Sequence, residues 1–541
     1  MSVIITNVQG SLLAPDGAEI AVLMAFSTAS SGIFSLENSL TVLRLFISSS
    51  RVFDLFNISC LSFFVKFNFW NDMVFPLGLV SQKHLIYTAM RPLEIIILSS
   101  LLWIIYLLFR EDKKLFLYSL FGGLLVCFLH FYLESQRWQM APAYLLFLII
   151  FLFYKKGGEK PLWGKSLILV YFLFSAFLPF VIPVFSLPTP TGSYSIGTQT
   201  FQWTDSTRLE WFTYENPNDY RKIMVQVWYP SNDIKGRAPE PYIDNITIRA
   251  ETIGSAGGFP GWMAGHINLV KTNSYLNASP DLTNAPYPVL ILSHGITGMR
   301  QIHSALIEEL TSHGFVVASL DHPYDCNLTL FQDGTVADYR SDITGHPDSV
   351  QIRRKQLNTR VADVRFLLDT LTKINQAIHF NGLMDLNRVG VLGHSYGGAT
   401  AIQVAFEDKR FRSCLVLDSW MNPLSTNVLN SGISQPFIYL GRPHWDDSDY
   451  PTSPNLVNTF TKSSPEKNFQ LVLKNSRHLD FCDAPLFSPL TDRFLETGPI
   501  SAKKAVAITN KVALSFFSYF LKDKQGEFPN DILNEPFLLL R

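Results

Sequence analysis

The sequence predicts an α/β fold, in which helices cover both faces of a mostly parallel sheet, preceded by about four membrane-spanning helices. Two observations predict the sheet: short apolar runs alternate with helix-forming stretches within residues 188–541, and a Gly-x-Ser-x-Gly sequence joins a strand to a helix. A third observation predicts the membrane region, because four long and nearly uncharged runs lie between residues 95 and 185.

The chain of 541 residues divides into three predicted segments. Residues 1–89 are uncertain, since their charges are scattered and no apolar run reaches the roughly 20 residues of a membrane helix. We hypothesise that translation starts at Met90 and that the upstream stretch is untranslated or poorly ordered. Residues 90–187 are the predicted four-helix transmembrane region, and residues 188–541 are the predicted α/β domain.

Four apolar runs form the predicted membrane region. The chain is 47% hydrophobic and only 16% charged, and the apolar excess lies at the front. Two runs approach the roughly 20 residues of a membrane helix, and the other two are shorter unless flanking residues extend them. Buried core helices are the alternative interpretation. The runs are Ile95–Phe109, Leu115–Leu133, Met140–Tyr154 and Leu167–Phe185.

The short connections between these runs differ in their basic residues. The first and third connections are rich in lysine and arginine, whereas the second contains only Arg137. By the positive-inside rule the first and third connections are cytoplasmic. After an even number of spans, the segment beyond Phe185 is on the outer side, so the α/β domain faces the periplasm or the cell exterior. The basic residues are Arg110, Lys113, Lys114, Lys155, Lys156, Lys160 and Lys165.

The predicted elements of the α/β domain alternate along the chain. Short apolar runs bounded by turn residues predict strands, and longer stretches of helix-forming residues predict helices. The predicted strands are Lys222–Tyr229, Pro288–Leu292, Phe315–Leu320, Val389–Leu392, Cys414–Leu417, Pro436–Leu440 and Asn468–Leu473. The predicted helices are Gln301–His313, Ser349–Ile374, Ala399–Phe406 and Ala502–Leu521. The insertion Ser231–Ala285 is interpreted either as a lid or cleft element or as a solvated loop.

Ser395 is the candidate nucleophile. It is the central residue of Gly-His-Ser-Tyr-Gly, residues 393–397, between an apolar run that ends at Leu392 and the helix-forming stretch Ala399–Phe406. A strand that turns sharply into a helix needs glycines beside the turning residue, and the turn exposes the serine hydroxyl. This context predicts an α/β-hydrolase fold.

A serine hydroxyl is a poor nucleophile until a histidine takes its proton, and in this fold the chain order is serine, acid, histidine. Downstream of Ser395 the candidate bases are His444 and His478, and His478 is favoured because it follows the strand-like run Asn468–Leu473. Asp418 ends a short strand and is one candidate acid. The residues alone leave open the aspartates after the next strand, Asp446, Asp447 and Asp449.

Several long segments resemble the secreted type of platelet-activating-factor acetylhydrolase. They are GHSYGGATAIQ, FEDKRFR and LDSWMNPL around and after Ser395, with LSHGITG, SHGFVVASLDH and VQVWYP upstream. The resemblance covers residues 190–525. It implies that Asp418 is the acid and His478 the base, and that the substrate is a phospholipid ester.

Two backbone amides are predicted to bind the negative charge that develops on an attacked carbonyl. One is the amide of Tyr396, because it follows the nucleophile. The other belongs to the glycine-containing loop Ser293–Gly298, and the resemblance assigns it to Ile296.

Neither a metal nor a cofactor is predicted. His294 and His394 are interpreted as structural hydrogen-bonding residues, and the chain lacks His-Glu-x-x-His, paired Cys-x-x-Cys and Gly-x-Gly-x-x-Gly sequences. A net charge of −1 without a basic run argues against a nucleic-acid partner. The five cysteines give no disulfide framework, and the oligomeric state is not predicted.

The predicted function is that of a membrane-anchored serine esterase in lipid degradation, which cleaves short or oxidised sn-2 acyl chains of phospholipids through an acyl-enzyme. A general carboxylesterase or polyester hydrolase of the same fold is the alternative enzyme. A membrane lipid sensor without catalysis is the alternative from another class, but Ser395, Asp418 and His478 are all present. A transporter is not favoured, because the apolar runs contain almost no ionisable residue.

Overall fold

In a computed structural model the chain divides into a helical unit and an α/β unit. The helical unit comprises residues 90–136 and 140–177, and the α/β unit comprises residues 137–139 and 178–541. The domain boundaries given above remain predictions. The residues described are 90–343, 346–377, 379–445, 451–464, 468–522 and 527–541.

Two of the sequence interpretations fall outside the described residues. The hypothesis of a start at Met90 concerns residues 1–89, and the alternative acids belong to residues 446–450. Both stay as predictions.

The helical unit contains four helices that are long and apolar enough to cross a membrane. Large apolar side chains such as Phe121 and Phe128 are exposed on their outer faces, as expected of a surface that contacts lipid. The third candidate span is counted from Trp138 because a short 3₁₀ turn precedes its helix. The helices are α1 (Pro92–Arg110), α2 (Lys113–Leu133), α3 (Ala141–Lys155) and α4 (Leu162–Val181).

The fourth helix differs from the predicted run Leu167–Phe185. It begins at Leu162 and ends at Val181, because a residue before a proline avoids the helical conformation and Pro183 follows. Phe185 instead packs in the core of the α/β unit, with its ring centroid 5.1 Å from that of Tyr242. The predicted end of this run was therefore wrong.

A buried polar cluster joins the first three helices. Arg91 Nη2 donates to Glu94 Oε1 over 2.8 Å and lies 3.2 Å from His130 Nε2, and the Tyr144 hydroxyl lies 3.0 Å from His130 Nδ1. Glu94 and His130 are fully buried. Because each polar group has a partner, the cluster is a structural connection between helices in an apolar unit.

The α/β unit has the predicted architecture, and the fold class is confirmed. Its strands are β1 (Ser195–Leu209), β2 (Tyr220–Asp233), β3 (Pro239–Pro241), β4 (Lys271–Leu276), β5 (Ser279–Pro280), β6 (Tyr287–Ser293), β7 (Val316–Asp321), β8 (Leu328–Leu330), β9 (Val336–Asp338), β10 (Met384–His394), β11 (Phe411–Leu417), β12 (Phe437–Gly441), β13 (Asn468–Leu473) and β14 (Leu538–Leu540). Its helices are α5 (Ile246–Gly257), α6 (Ser304–Ser312), α7 (Ser349–Ile374), α8 (Tyr396–Glu407), α9 (Thr426–Ser431), α10 (Ser453–Ser463), α11 (Thr491–Phe494), α12 (Ala502–Leu521) and α13 (Asn530–Leu533).

Twelve of the described strands form one sheet whose centre is parallel. The parallel strands lie in the order β13-β12-β11-β10-β6-β7, with antiparallel pairs β2–β7, β1–β2 and β13–β14 at the two sides. Strands β8 and β9 form a separate hairpin. One core cluster packs α7 and α8 on the first face, and a second packs α6 and α12 on the other. Side chains such as Ile291 and Val391 are fully buried, which explains the uniformly apolar runs.

The insertion Ser231–Ala285 is folded and extends the sheet. It contains α5 and the 3₁₀ helix Gly261–Leu269, and its strand β4 pairs in parallel with β1 while β5 pairs with β2. The solvated-loop interpretation was therefore wrong, and a lid or cleft role stays a prediction.

The cysteines described in the α/β unit are Cys326, Cys414 and Cys482. All are buried and none forms a disulfide.

Candidate active site

Ser395 occupies a strained turn between β10 and α8. Its φ of 57° and ψ of −120° are rare for a residue with a side chain. Three backbone hydrogen bonds hold this conformation: its amide donates to Leu417 O over 2.9 Å, and its carbonyl accepts from Gly398 N and Trp420 N over 3.0 Å each. The sharp turn places Ser395 between the end of β10 and the start of α8, as the sequence context predicts, and the residue as a whole is 7% exposed.

The glycines at each side of the turn are sterically required. A Cβ on Gly393 would lie 2.0 Å from Gly397 O, and a Cβ on Gly397 would lie 1.9 Å from Ser293 O. Both separations are below van der Waals contact. The motif therefore has glycines where the end of β10, the start of α8 and the end of β6 approach one another closely.

The structure brings Ser395, His478 and Asp418 together in a hydrogen-bonded chain. His478 Nε2 lies 2.9 Å from Ser395 Oγ, and His478 Nδ1 lies 2.6 Å from Asp418 Oδ2. Because Nδ1 faces a carboxylate, it carries the ring proton and Nε2 is the acceptor of the serine proton. The three residues follow β10, β11 and β13, so the carboxyl ends of three parallel strands of the sheet supply all of them.

Asp418 is held by a partner that the sequence interpretation missed. The Arg442 amide donates to Asp418 Oδ1 over 2.9 Å, and Arg442 Nε lies 3.1 Å from Oδ2. Asp418 is fully buried, so this arginine compensates the cost of burying its charge. Arg442 comes two residues after the end of the predicted strand Pro436–Leu440, and this position was the available signal.

The alternative base does not join this arrangement. His444 is exposed, whereas His478 is partly buried between Ser395 and Asp418.

The loop predicted to supply an oxyanion donor approaches the nucleophile. A Cβ on Gly295 would lie 3.1 Å from Ser395 Cβ and 3.6 Å from its Oγ. Among the described residues, the amides of Ile296 and Tyr396 donate to no acceptor. An oxyanion hole requires unpaired N–H groups, and these two lie in the loop that approaches Ser395 and directly after Ser395 in the chain.

His294 and His394 make structural hydrogen bonds, and burial lowers the pKa of each well below its ordinary value. His294 Nε2 accepts from the amide of His322 over 3.2 Å, so its Nδ1 donates to Gly295 O. His394 Nε2 donates over 3.0 Å to the carbonyl oxygen of His478. Both imidazoles are therefore neutral supports.

A buried ligand cluster of His294, Asp321 and Cys326 has the donor types of a metal site, with ligand atoms within 4.8 Å of one another. Each donor already has a protein partner. Arg300 pairs with Asp321, and Thr329 Oγ1 lies 2.9 Å from Cys326 Sγ. The cluster does not fit a metal ion, because positive charge already occupies its carboxylate.

Comparison with known proteins gives consistent similarities. The family described as platelet-activating factor acetylhydrolase, isoform II, matches residues 182–531. The chain is 29% identical to a platelet-activating factor acetylhydrolase of Cavia porcellus over 363 residues, which cover 62% of this chain and 78% of that protein. It is 24% identical to a probable 1-alkyl-2-acetylglycerophosphocholine esterase of Arthroderma benhamiae, over 48% of this chain and 65% of that protein.

Among solved structures, a ferulic acid esterase from Streptomyces cinnamoneus is similar with a TM-score of 0.53 at 25% identity. The match covers 66% of this chain and 98% of the esterase. The similarity extends over most of the α/β unit, so the fold and these similar proteins both indicate ester hydrolysis. The secreted type named above stays a prediction.

Proposed function

Because the chain belongs to the platelet-activating factor acetylhydrolase isoform II family, we propose that it is a membrane-anchored serine hydrolase with an acyl-enzyme intermediate. The chain is an ester-hydrolysing enzyme, as its relatives are. The proposed substrates are phospholipids with short or oxidised sn-2 acyl chains. The observation that carries the mechanism is the hydrogen-bonded chain Ser395–His478–Asp418.

In the acylation step, Ser395 Oγ attacks the ester carbonyl while His478 Nε2 takes the hydroxyl proton. Asp418 keeps the ring in the required tautomer and stabilises the imidazolium that forms. The carbonyl oxygen becomes an oxyanion and accepts from the amides of Ile296 and Tyr396. The intermediate collapses to an acyl-serine, and His478 returns the proton to the departing lysophospholipid alkoxide.

Deacylation repeats these steps with water as the nucleophile. His478 Nε2 takes a proton from water as the hydroxide equivalent attacks the acyl-serine carbonyl, and the same amides hold the second oxyanion. Collapse breaks the bond to Ser395 Oγ, which recovers the proton from His478. The products are a free fatty acid and the regenerated serine.

Contacts inside the α/β unit support anchoring with this unit on the outer side. Arg137, from the connection between the second and third candidate spans, donates over 2.7 Å to Ile182 O, which directly follows α4. Trp138 Nε1 donates over 3.0 Å to Met263 O in the insertion. With four spans, this connection and the end of the fourth span lie on the same side, opposite the lysine-rich connections.

The substrate is tested with a phosphocholine that carries an sn-2 acetyl chain and with its long-chain analogue. We expect the wild-type protein in detergent micelles to hydrolyse the acetyl lipid and to leave the long-chain lipid intact. Ser395→Ala should abolish turnover. Ser431→Ala is the matched control, because Ser431 is exposed on α9.

The similarity to a ferulic acid esterase favours one second candidate, a general carboxylesterase. Rapid cleavage of 4-nitrophenyl acetate together with no turnover of either phospholipid would establish this candidate instead. Equal turnover in Ser395→Ala and wild type would contradict the serine mechanism itself.

The orientation is tested by labelling single cysteines in intact cells with a membrane-impermeant maleimide. Ser431→Cys in the α/β unit should be labelled, whereas Glu159→Cys in the third connection should react only after the cells are permeabilised. Background labelling should be low, because the described native cysteines are buried. The reverse pattern would place the α/β unit in the cytoplasm.

A further inference from the structure

Arg360 is a buried arginine that contacts the loop beside the nucleophile. It lies on α7 with 1% of its surface exposed. Its Nη1 donates to His294 O over 2.7 Å, and its Nη2 donates to Gly295 O over 3.3 Å. Its Nε donates to the carboxylate of Asp325. One guanidinium group therefore holds two successive carbonyls of the loop.

The carbonyl of Gly295 belongs to the same peptide group as the amide of Ile296. In a planar trans peptide these two groups point in opposite directions, so fixing the carbonyl also fixes the amide. Gly295 O accepts from Arg360, from His294 Nδ1 over 2.5 Å and from Gly298 N over 3.1 Å. Three donors therefore hold the carbonyl, and the Ile296 N–H points away from Arg360.

Ser395 approaches this same peptide group. A Cβ built on Gly295 would meet Ser395 Cβ at 3.1 Å, so the backbone at Gly295 lies in contact distance of the nucleophile. If the peptide rotated, a carbonyl oxygen would replace the amide there and would repel an oxyanion. The orientation of one peptide group thus decides whether the oxyanion hole has one donor or two.

Arg360 also contacts the residue that supplies the second amide. Its guanidinium carbon lies 4.6 Å from the ring centroid of Tyr396, and the Tyr396 hydroxyl donates over 2.6 Å to Arg353 O, also on α7. Asp325 completes the arrangement, since its side chain pairs with Arg360 and its carbonyl accepts from Thr297 N over 3.1 Å. The loop and the start of α8 are both fixed to α7.

We propose that Arg360 is a positioning residue for catalysis, which orients the Gly295–Ile296 peptide so that the Ile296 amide binds the oxyanion. This inference rests on the proposed serine esterase mechanism. Lysine cannot replace arginine here, because an ammonium group lacks the planar set of N–H donors with which the guanidinium group binds two carbonyls and a carboxylate. Loss of one oxyanion donor costs about 10²- to 10³-fold in kcat, and a misaligned donor costs part of that.

The test compares Arg360→Lys with Arg249→Lys in the full-length protein. Arg249 is a matched control, since it is fully buried, pairs with Asp244 and donates to Leu328 O without contacting the loop. With 4-nitrophenyl acetate we expect Arg360→Lys to lower kcat by about 10- to 100-fold at nearly constant KM. Arg249→Lys should stay within about threefold of wild type. Asp325→Asn should show a smaller loss of kcat in the same direction, and it provides a second variant should Arg360→Lys not fold.

A trifluoromethyl ketone inhibitor separates positioning from a general structural effect. It adds to the serine and leaves an oxyanion in the hole, so its Ki should rise by the same factor as kcat/KM falls in Arg360→Lys. The proposal would be overturned by an unchanged Ki in Arg360→Lys or by an equal loss of kcat in Arg249→Lys. It would also be overturned by wild-type kcat in both Arg360→Lys and Asp325→Asn.

The proposed function is judged from the wild-type protein alone. Wild-type cleavage of the nitrophenyl ester without phospholipid turnover would remove the phospholipid assignment and leave the Arg360 comparison valid. A wild-type protein that cleaves no ester would overturn both.

Discussion

Replacing Gly397 with alanine is expected to disable the enzyme by displacing the loop beside Ser395. The added Cβ would lie 1.9 Å from Ser293 O, 2.5 Å from Ser293 C and 2.6 Å from His294 O. All three are backbone atoms, so no side chain can rotate away. To reach 3.0 Å, the shortest separation that real Cβ atoms show, the start of α8 and the end of β6 must separate by about 1.1 Å.

A displacement of this size acts directly on the catalytic geometry. Ser395 precedes α8 and the Ile296 amide follows β6, so the alanine pushes the proposed nucleophile and one proposed oxyanion donor apart. A misplacement of about 1 Å lowers rates by about 100-fold, and overpacking of this kind costs about 1–3 kcal/mol of unfolding free energy. We therefore expect kcat to fall by about 100-fold or more, together with a moderate decrease in Tm.

The assay is initial-rate hydrolysis of 4-nitrophenyl acetate, with Tm measured by thermal unfolding of the same preparation. Gly265→Ala is the matched control, since no atom lies within 4 Å of a Cβ at that position. It should leave both kcat and Tm close to wild type. A Gly397→Ala protein with wild-type kcat would refute the reasoning, because it would show that α8 and the loop move without affecting the reaction.

Three further predictions concern the same site. Asp418→Asn should lower kcat by about 10⁴-fold at similar KM, because the histidine loses the carboxylate that fixes its tautomer, and a loss below about tenfold would contradict that role. The acidic limb of the pH profile of kcat/KM should contain no step from His303 or His394, since burial lowers the pKa of His303 to about 3 and that of His394 well below its ordinary value; a shifted limb in His303→Gln would contradict this. Millimolar EDTA should not change kcat, because the donors of the buried ligand cluster have protein partners, whereas inactivation that Zn²⁺ reverses would show a metal requirement.

The sheet centre could be predicted from sequence because its strands are buried on both faces. Runs such as Tyr287–Ser293 and Asn468–Leu473 are almost continuously apolar and short, and the structure forms strands at both. Strand β1 (Ser195–Leu209) was missed, because it is rich in threonine, serine and glutamine and its side chains are mostly half-exposed. Strand β1 is specified by its pairing with β2, and such pairing leaves no pattern within the sequence of β1 itself.

The local part of the site could also be predicted from sequence, whereas the long-range part could not. The turn at Ser395 is specified by its own glycines. The choice of Asp418 over later aspartates needed the resemblance, since 60 residues separate it from His478. Arg360 contacts residues far along the chain, so nothing in its neighbouring sequence indicates the proposed role. Arg442 had only its position shortly after a predicted strand as a signal.

The burial of the cysteines has a consequence for the proposed turnover of oxidised lipids. Fragments of oxidised acyl chains include aldehydes and peroxides, which react with thiolates. Burial raises the pKa of Cys326 and of Cys482 to about 12, and it also raises the pKa of Cys414. These thiols are therefore protonated and inaccessible at neutral pH, which makes them poor nucleophiles. Electrophiles released by turnover of the proposed substrates have no reactive thiol to modify among these three cysteines. The α/β unit should therefore keep its activity in an oxidising lipid environment.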